Sequence, residues 1–195
     1  MELFPFFQPV KGRTFVVVGT GQVAAEKAKR LEMFNCAVRT EKEYTPDCLD
    51  GADFCVSAFA DRQLNMRVAE ECNKRGIPIN VADDPQLCDF VFPAIVKKGD
   101  LICAVSTQGK SPAYAAQLRA QIEAMVPENI DEILDSMGEI RQEVRERVGG
   151  QRKRKKVYQH LLKAMLADEE LTVDQAVERV EKAAGQPQGG CEDES

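Results

Sequence analysis

The feature that most constrains this fold is a glycine-containing loop set between an apolar run and a helical pattern. Residues 14–18 are rich in β-branched and aromatic side chains, which predicts a buried parallel strand. Residues 19–24 follow at once and fit the pattern GxGxxA. From residue 23 to residue 34 apolar side chains recur at helical spacing. The loop therefore stands in a strand–turn–helix context.

Each small residue of that loop has a physical role in holding a dinucleotide. Gly19 permits the tight turn, and Gly21 lets the backbone approach a pyrophosphate at the positive end of the helix. Ala24 lets the helix pack close to the strand. The alternative is a plain glycine-rich turn. We predict that the cofactor contacts are made by Gly19, Thr20, Gly21, Gln22 and Val23.

The choice between NAD and NADP depends on the residues that follow the next strand. Glu41 lies about 20 residues beyond the loop, where an acidic side chain binds the ribose 2′-hydroxyl and favours NAD. Arg39 is close and offers the alternative of binding a 2′-phosphate. We predict NAD, with Glu41 as a cofactor-binding residue.

The rest of the N-terminal half alternates between strand and helix patterns. Strands are predicted at residues 36–40, 52–58 and 77–81, with a helix over 61–75 that Gly76 ends. The order β-α-β-β-α-β predicts a parallel sheet with helices on its faces. Residues 1–93 are therefore predicted to form a Rossmann-like NAD-binding domain.

The pattern changes after residue 93. Strand-like runs at 90–96 and 101–106 flank a turn at Gly99-Asp100, and Ser111-Pro112 begins a helix that reaches about residue 124. Helices follow at 130–148, 157–166 and 172–183, the second with a charged solvated start at 152–156 and the third with a capping box. The predicted fold class is α/β: the Rossmann-like domain, a small β/α dimerisation region at 94–125, a C-terminal all-helical domain at 126–184, and a flexible tail at 185–195.

Composition excludes several classes of function. The net charge of −6 argues against general nucleic-acid binding, which needs an excess of Lys and Arg. No apolar run reaches the roughly 18 residues that span a bilayer, and the first ten residues do not form a signal peptide. Seven cysteines without a CxxC pair indicate reduced thiols in a cytoplasmic protein rather than disulfides or a metal site.

Four segments in one order carry a family resemblance. They are the loop at 19–24, NVADDP at 80–85, CDFVFPAIV at 88–96, and STQGKSP at 106–112 followed by AAQLRAQIE. Over residues 1–125 the chain resembles the precorrin-2 dehydrogenases, including the N-terminal half of siroheme synthase. The resemblance implies an intertwined homodimer that uses NAD⁺ to oxidise precorrin-2 to sirohydrochlorin, towards sirohaem or, in some organisms, cobalamin. Certain members also insert Fe²⁺ as ferrochelatases.

The resemblance also implies roles for particular residues. Asp83 matches the family's catalytic aspartate, a base that accepts a proton from the macrocycle. On the residues alone it is equally well a turn residue, and Asp84 is assigned to the turn. Because precorrin-2 is a polycarboxylate, the site needs donors before a helix N-terminus. The substrate-binding residues predicted on this basis are Ser106, Thr107, Gly109, Lys110, Ser111 and Arg119.

Several of these residues have a simpler interpretation. Ser111 is equally an N-cap, Lys110 a solvated lysine, and Arg119 an i,i+4 partner of Glu123. His160, the only histidine, is interpreted as a surface or packing residue, and no metal ligand is predicted.

Two departures from the family pattern keep other functions open. Residues 41–51 are too few for the helix and strand that family members carry there, and Ala58-Phe59-Ala60-Asp61 replaces the family's Ala-Thr-Asp-Asp, although Asn65 is kept. The alternatives are a dinucleotide-binding sensor or scaffold without turnover, and a metal chelatase with little dehydrogenase activity.

Overall fold

The computed structural model describes residues 2–185, which divide into two compact units between Pro93 and Ala94. The predicted tail at 185–195 lies outside the described residues, apart from Gly185 at the end of the last helix. Cys191 lies outside them too.

The first unit is a parallel sheet with helices between its strands. Its elements are β1 (Thr14–Gly19), α1 (Gln22–Glu32), β2 (Ala37–Glu41), a 3₁₀ turn (Pro46–Leu49), β3 (Phe54–Ala58), α2 (Arg62–Arg75), β4 (Ile79–Val81) and a second 3₁₀ turn (Pro85–Leu87). The four strands run parallel in the order β2-β1-β3-β4. The predicted α/β fold with a parallel sheet is confirmed.

The central strand β1 is apolar on both faces because both faces are covered. Val16 and Val18 pack in one core with α2, and Val17 packs in the other core with α1. Burial on both faces explains the continuous apolar run in the sequence. Asp61 caps α2 by accepting a hydrogen bond from the Gln63 backbone, and Gly76 ends the helix with φ +68°.

The short link between β2 and β3 contains one 3₁₀ turn and no strand. Arg39 fastens the link, since its Nη2 donates to the carbonyl oxygens of Cys48 and Asp50, each at 2.8 Å. Leu49, 1% exposed, fills the core beneath. The link therefore joins β2 to β3 without a further strand or α-helix, and the sheet has four strands.

The second unit begins with a hairpin covered by a helix. β5 (Ala94–Lys98) and β6 (Leu101–Val105) pair antiparallel, and α3 (Pro112–Met125) packs against both strands. The strand predicted at 90–96 is wrong at its start, because β5 begins at Ala94. Phe90 and Phe92 instead join an aromatic row on the first unit, edge to face, with ring centroids 5.6 Å apart.

Three helices complete the second unit: α4 (Ile130–Arg147), α5 (Gln151–Leu166) and α6 (Val173–Gly185). Their shared core includes Val144, Val157 and Leu161. The helix predicted at 157–166 begins earlier, at Gln151, so its charged start is helical throughout. Thr172 and Gln175 form the predicted capping box. No helix among residues 2–185 is long and apolar enough to cross a membrane.

Candidate cofactor and substrate site

The glycine loop leaves β1 at a point where no other residue fits. Gly19 has φ +148°, and a Cβ built on it would lie 2.5 Å from the carbonyl oxygen of Ala58 on the neighbouring strand β3. That distance is below any real Cβ contact, and the obstacle is backbone that cannot rotate away. Gly19 is therefore fixed by the close approach of two strands.

Gly21 is required for a different reason. It is the N-cap of α1 with φ +86° and ψ −169°, a backbone region that only glycine adopts freely. Apart from its neighbours along the chain, none of the described residues has an atom within 4 Å of the Cβ it lacks, so the face above it is open. The first turn of α1 has no acidic residue and no capping side chain. Its free N–H groups and positive helix end suit an anion.

The other predicted cofactor residues border this helix end. Thr20, Gln22 and Val23 are exposed, and Gln22 Nε2 donates to Glu26 at 2.7 Å. Glu41 ends β2 in register with Val18, the residue before Gly19. The structure therefore brings all five loop residues and Glu41 to one edge of the sheet.

Asp83 lies at that same edge, where β4 ends. It follows β4 by two residues and adopts φ +60°, a left-handed conformation that aspartate tolerates better than most residues. Its side chain is exposed and accepts no hydrogen bond from the described residues. Asp84 differs, because its carboxylate accepts a hydrogen bond from Arg62 Nε at 2.9 Å and is only 15% exposed. The assignment of Asp84 to the turn accords with these contacts.

A cysteine fixes the turn that carries Asp83, and sequence reasoning did not find it. Cys88 Sγ accepts from the Val81 backbone N–H at 3.1 Å, and its one S–H proton has two acceptors at 3.3 Å, the carbonyl oxygens of Val81 and Asp84. Burial raises the pKa of the Cys88 thiol. The protonated thiol therefore acts as a clasp, holding residues 81–88 in a closed loop around Asp83.

Next to this loop, residues outside any strand form hydrogen bonds with β4. Asp89 exchanges two hydrogen bonds with Ile79, one through its carboxylate and one through its backbone N–H. Asn80 Nδ2 donates to the Phe90 carbonyl oxygen at 2.9 Å, and the buried Asn80 Oδ1 has no partner among the described residues.

Lys27 is a second residue that the sequence did not single out. It lies on α1, and its Nζ lies 4.4 Å from the ring centroid of Phe92. Burial lowers the pKa of Lys27, and Arg30 lowers it further, whereas Cys88 and Asp83 raise it. Its amino group is therefore within electrostatic range of the candidate catalytic carboxylate.

At the departure from the family pattern at 58–61, Asn65 holds the backbone that follows β3. Asn65, 5% exposed, accepts from Ser57 Oγ at 2.7 Å and from the Phe59 N–H at 3.1 Å, and it donates to the Phe59 carbonyl oxygen. Phe59 packs against the core. The polar groups after β3 are thus held in place by Asn65.

In the second unit, the predicted substrate residues form a tight turn before α3. Ser106 Oγ accepts from the Gln108 N–H at 3.1 Å, and Thr107 Oγ1 accepts from the Ser111 N–H at 3.1 Å. Ser111 caps α3 by accepting from the Tyr114 N–H at 3.2 Å. A hydroxyl that accepts still has a proton to donate. All three hydroxyls therefore keep a donor that no described residue uses.

The remaining predicted substrate residues have simpler surroundings. Gly109, with φ +79°, completes the turn, and Lys110 is exposed. Arg119 Nη1 donates to Glu123 at 2.6 Å, which is the i,i+4 pairing named as its alternative.

The thiols and the histidine do not gather into a metal site among residues 2–185. Six cysteines are free there, and Cys55 and Cys72 are fully buried. A hydrogen bond to Cys72 and burial raise the pKa of the Cys55 thiol. His160 is half-buried on α5.

Comparisons with known proteins agree with the fold and with the sequence segments. Residues 34–94 match the family described as putative NAD(P)-binding, and residues 99–125 match the family described as sirohaem biosynthesis protein, central. Siroheme synthase from Stutzerimonas stutzeri (strain A1501) is 34% identical over 141 residues, which cover 62% of this chain and 30% of that protein. Siroheme synthase from Nitrosomonas eutropha is 35% identical over 142 residues, with the same coverage.

The chain therefore spans 30% of the length of these curated relatives. A solved structure of SirC, precorrin-2 dehydrogenase, matches with a TM-score of 0.64 and 18% identity, covering 92% of this chain and 100% of that one. That likeness shows the fold. Together the matches confirm the family resemblance drawn from the sequence and a nicotinamide dinucleotide as the class of cofactor.

Proposed function

We propose that this chain is an NAD-dependent precorrin-2 dehydrogenase of the sirohaem biosynthesis family, whose models match residues 34–94 and 99–125. The reaction is the oxidation of precorrin-2 to sirohydrochlorin. Siroheme synthase relatives and the likeness to a precorrin-2 dehydrogenase support this proposal.

One observation carries it most directly. Asp83, an exposed carboxylate without a hydrogen bond, lies at the sheet edge that also carries the glycine loop. Ligands of doubly wound sheets bind at the carboxyl ends of the strands. Asp84, in contrast, is paired with Arg62 and only 15% exposed.

The residues present fit a nicotinamide dinucleotide. The open face above Gly21 and the uncapped start of α1 would hold the pyrophosphate, with contacts from Thr20, Gln22 and Val23. Glu41 would bind a ribose hydroxyl. Arg39 Nη2 donates to the carbonyl oxygens of Cys48 and Asp50, so a 2′-phosphate would compete with these bonds, which favours NAD.

The chemistry divides between cofactor and chain. NAD⁺, when bound, supplies the hydride acceptor. Precorrin-2 loses a hydride and a proton, and Asp83 accepts the proton, then passes it to water through its exposed side. The clasp of Cys88 on Val81 and Asp84 keeps the base in one position.

The second unit supplies donors for a polycarboxylate. Ser106, Thr107 and Ser111 hold their oxygens in place by accepting backbone N–H groups, so their hydroxyl protons remain for carboxylates. Gly109 and Lys110 complete this donor turn, and Arg119 joins it by exchanging Glu123 for a substrate carboxylate. A cytoplasmic homodimer is part of the proposal, as the family resemblance implies.

Fe²⁺ insertion is a second activity within the same proposal. Siroheme synthase relatives motivate it. Asp83 would then remove pyrrole protons as the metal, itself a substrate, enters the macrocycle.

The test is anaerobic turnover of purified protein with precorrin-2 and NAD⁺, following NADH and sirohydrochlorin by absorbance. Asp83→Asn preserves size and tolerates positive φ, so we expect it to bind NAD normally and to lose turnover by at least about 100-fold. Asp84→Asn is the matched control, expected to keep wild-type turnover. Adding Fe²⁺ or Co²⁺ afterwards tests chelation separately.

Each outcome tests the role of Asp83 or one of the alternative functions. Full activity of Asp83→Asn would remove Asp83 from the mechanism. NAD binding by the wild type without either product would favour the sensor, and metal insertion without NADH would favour the chelatase.

A further inference from the structure

Lys27 presents an amino group in an unusual setting for a lysine on a surface helix. It is the sixth residue of α1, and its side chain is half-buried. The Nζ atom lies over the ring of Phe92, 4.4 Å from its centroid. Phe92 packs against the core that α1 forms with the sheet, alongside Ala82, the residue before Asp83. The ring therefore holds the amino group on the side of the sheet where β4 ends.

The direction of the side chain agrees with this position. Helical side chains lean towards the helix N-terminus, and the N-terminus of α1 lies at the sheet edge that carries Gly19 and Asp83. Lys27 thus leans towards the candidate site. Lys29, two residues on, is exposed.

The ammonium is desolvated but not paired. Burial lowers the pKa of Lys27, and Arg30 adds a second positive charge nearby, while Cys88 and Asp83 counter both effects. None of the described residues forms an ion pair or hydrogen bond with Lys27, and Asp83 is near without closing a salt bridge. A half-buried cation gains most from an anionic partner, because it has already lost part of its hydration. The Lys27 ammonium, which lies near Asp83, can therefore take an anionic ligand as its partner.

Resting on the proposed function, we propose that Lys27 is a substrate-binding residue that receives one carboxylate of the tetrapyrrole next to Asp83. Phe92 is its platform, fixing the ammonium without neutralising it. The pyrophosphate is the other anion in reach. Its site would be the first turn of α1, and the Kd for NAD⁺ distinguishes it from a substrate carboxylate.

The experiment is steady-state kinetics with three purified variants. Lys27→Met keeps length and removes charge, and Lys27→Arg keeps charge. Lys29→Met removes an exposed charge from the same helix as the matched control. Loss of a charge-assisted hydrogen bond predicts that Lys27→Met raises the KM for precorrin-2 by about 10-fold or more, with kcat within about threefold. Lys27→Arg recovers most of that loss, and Lys29→Met matches the wild type.

One further measurement shows whether Lys27 binds a carboxylate of the substrate or the pyrophosphate of the cofactor. The Kd for NAD⁺, measured by calorimetry, stays within about twofold in Lys27→Met if the anion is the substrate's carboxylate. A rise in that Kd equal to the rise in KM would assign Lys27 to the pyrophosphate and overturn the proposal. An unchanged KM in Lys27→Met would overturn it as well.

Failure of the proposed function can be told apart from failure of this inference. Binding of sirohydrochlorin is measured by its absorbance without turnover. If the wild type is inactive but binds sirohydrochlorin about 10-fold more tightly than Lys27→Met does, the dehydrogenase proposal fails and the Lys27 site stands. Equal binding by both would overturn the Lys27 site whatever the turnover.

Discussion

Replacing each loop glycine by alanine separates the role of backbone packing from the role of cofactor approach. In Gly19→Ala the new Cβ would meet the Ala58 carbonyl oxygen at 2.5 Å, where ordinary contacts begin near 3.4 Å. In Gly21→Ala the new Cβ would meet nothing within 4 Å. Both residues have positive φ, so both variants carry backbone strain, but only the first also pushes two strands apart.

The magnitudes follow from these two contributions. Alanine at positive φ costs on the order of 1–3 kcal/mol, and forcing packed backbone apart costs about 1–3 kcal/mol more. We therefore expect Gly19→Ala to lower the free energy of unfolding by about 1–3 kcal/mol more than Gly21→Ala does. The measurement is guanidinium unfolding followed by far-UV circular dichroism, since the chain has no tryptophan.

Cofactor affinity should show the opposite selectivity. A methyl group on Gly21 stands on the open face where the pyrophosphate would approach the N–H groups of α1. Losing one such charge-assisted hydrogen bond predicts a rise in the Kd for NAD⁺ of about 10-fold or more. Gly76→Ala is the control, because Gly76 also has positive φ and open space but lies at the far end of α2.

Two results would contradict these roles of Gly19 and Gly21. Equal unfolding midpoints for the two loop variants would contradict the close approach of Gly19 to Ala58. An unchanged Kd for NAD⁺ in Gly21→Ala, with Gly76→Ala also unchanged, would contradict a pyrophosphate site above the loop.

Three smaller predictions concern single contacts. Thr172→Ala removes the capping box of α6 and should lower stability in thermal unfolding by about 1 kcal/mol; an unchanged Tm would contradict a stabilising role for the cap. Cys88→Ala removes the thiol clasp and should cost about 1–3 kcal/mol, with Cys88→Ser less damaging; equal stability of Cys88→Ala and wild type would show that the clasp is dispensable. A hydrogen bond from the backbone N–H of Thr14, and then one from Arg13, hold the pKa of Asp53 below its ordinary value of 3.8. The ionised carboxylate therefore stabilises the folded state above pH 3.8, and this contribution is lost as the pH falls through the lower pKa of the folded state. Asp53→Asn should therefore lose less of its Tm than wild type on acidification below that value, and parallel acid profiles would contradict the assignment.

Periodicity and loop chemistry predicted most of the first unit. The run at 14–18 and the glycines that follow are local signals; β1 forms there, and Gly19 and Gly21 both have positive φ. Asn65 was noticed as a family residue, but its clamp on Ser57 and Phe59 needs the turn after β3 to be known.

Contacts between distant parts of the chain had no such signal. The pairing of Lys27 with Phe92 joins residues far apart in sequence, and Lys27 alone resembles any helix lysine. The strand predicted at 90–96 failed at its start for the same reason, since Phe90 and Phe92 are apolar and alternate as in a strand, yet pack in an aromatic row. The hydrogen bonds of Arg39, the alternative 2′-phosphate ligand, go to two backbone carbonyl oxygens and leave no trace in the sequence.

We propose that this chain oxidises precorrin-2 with NAD⁺, and the ratio of the two products is a direct test. Purified wild-type protein is mixed anaerobically with precorrin-2 and excess NAD⁺, and NADH and sirohydrochlorin are quantified together. We expect NADH and sirohydrochlorin in equal amounts, and neither product when NAD⁺ is omitted. Sirohydrochlorin formed at the same rate without NAD⁺, or no sirohydrochlorin from protein that binds NAD⁺, would contradict it.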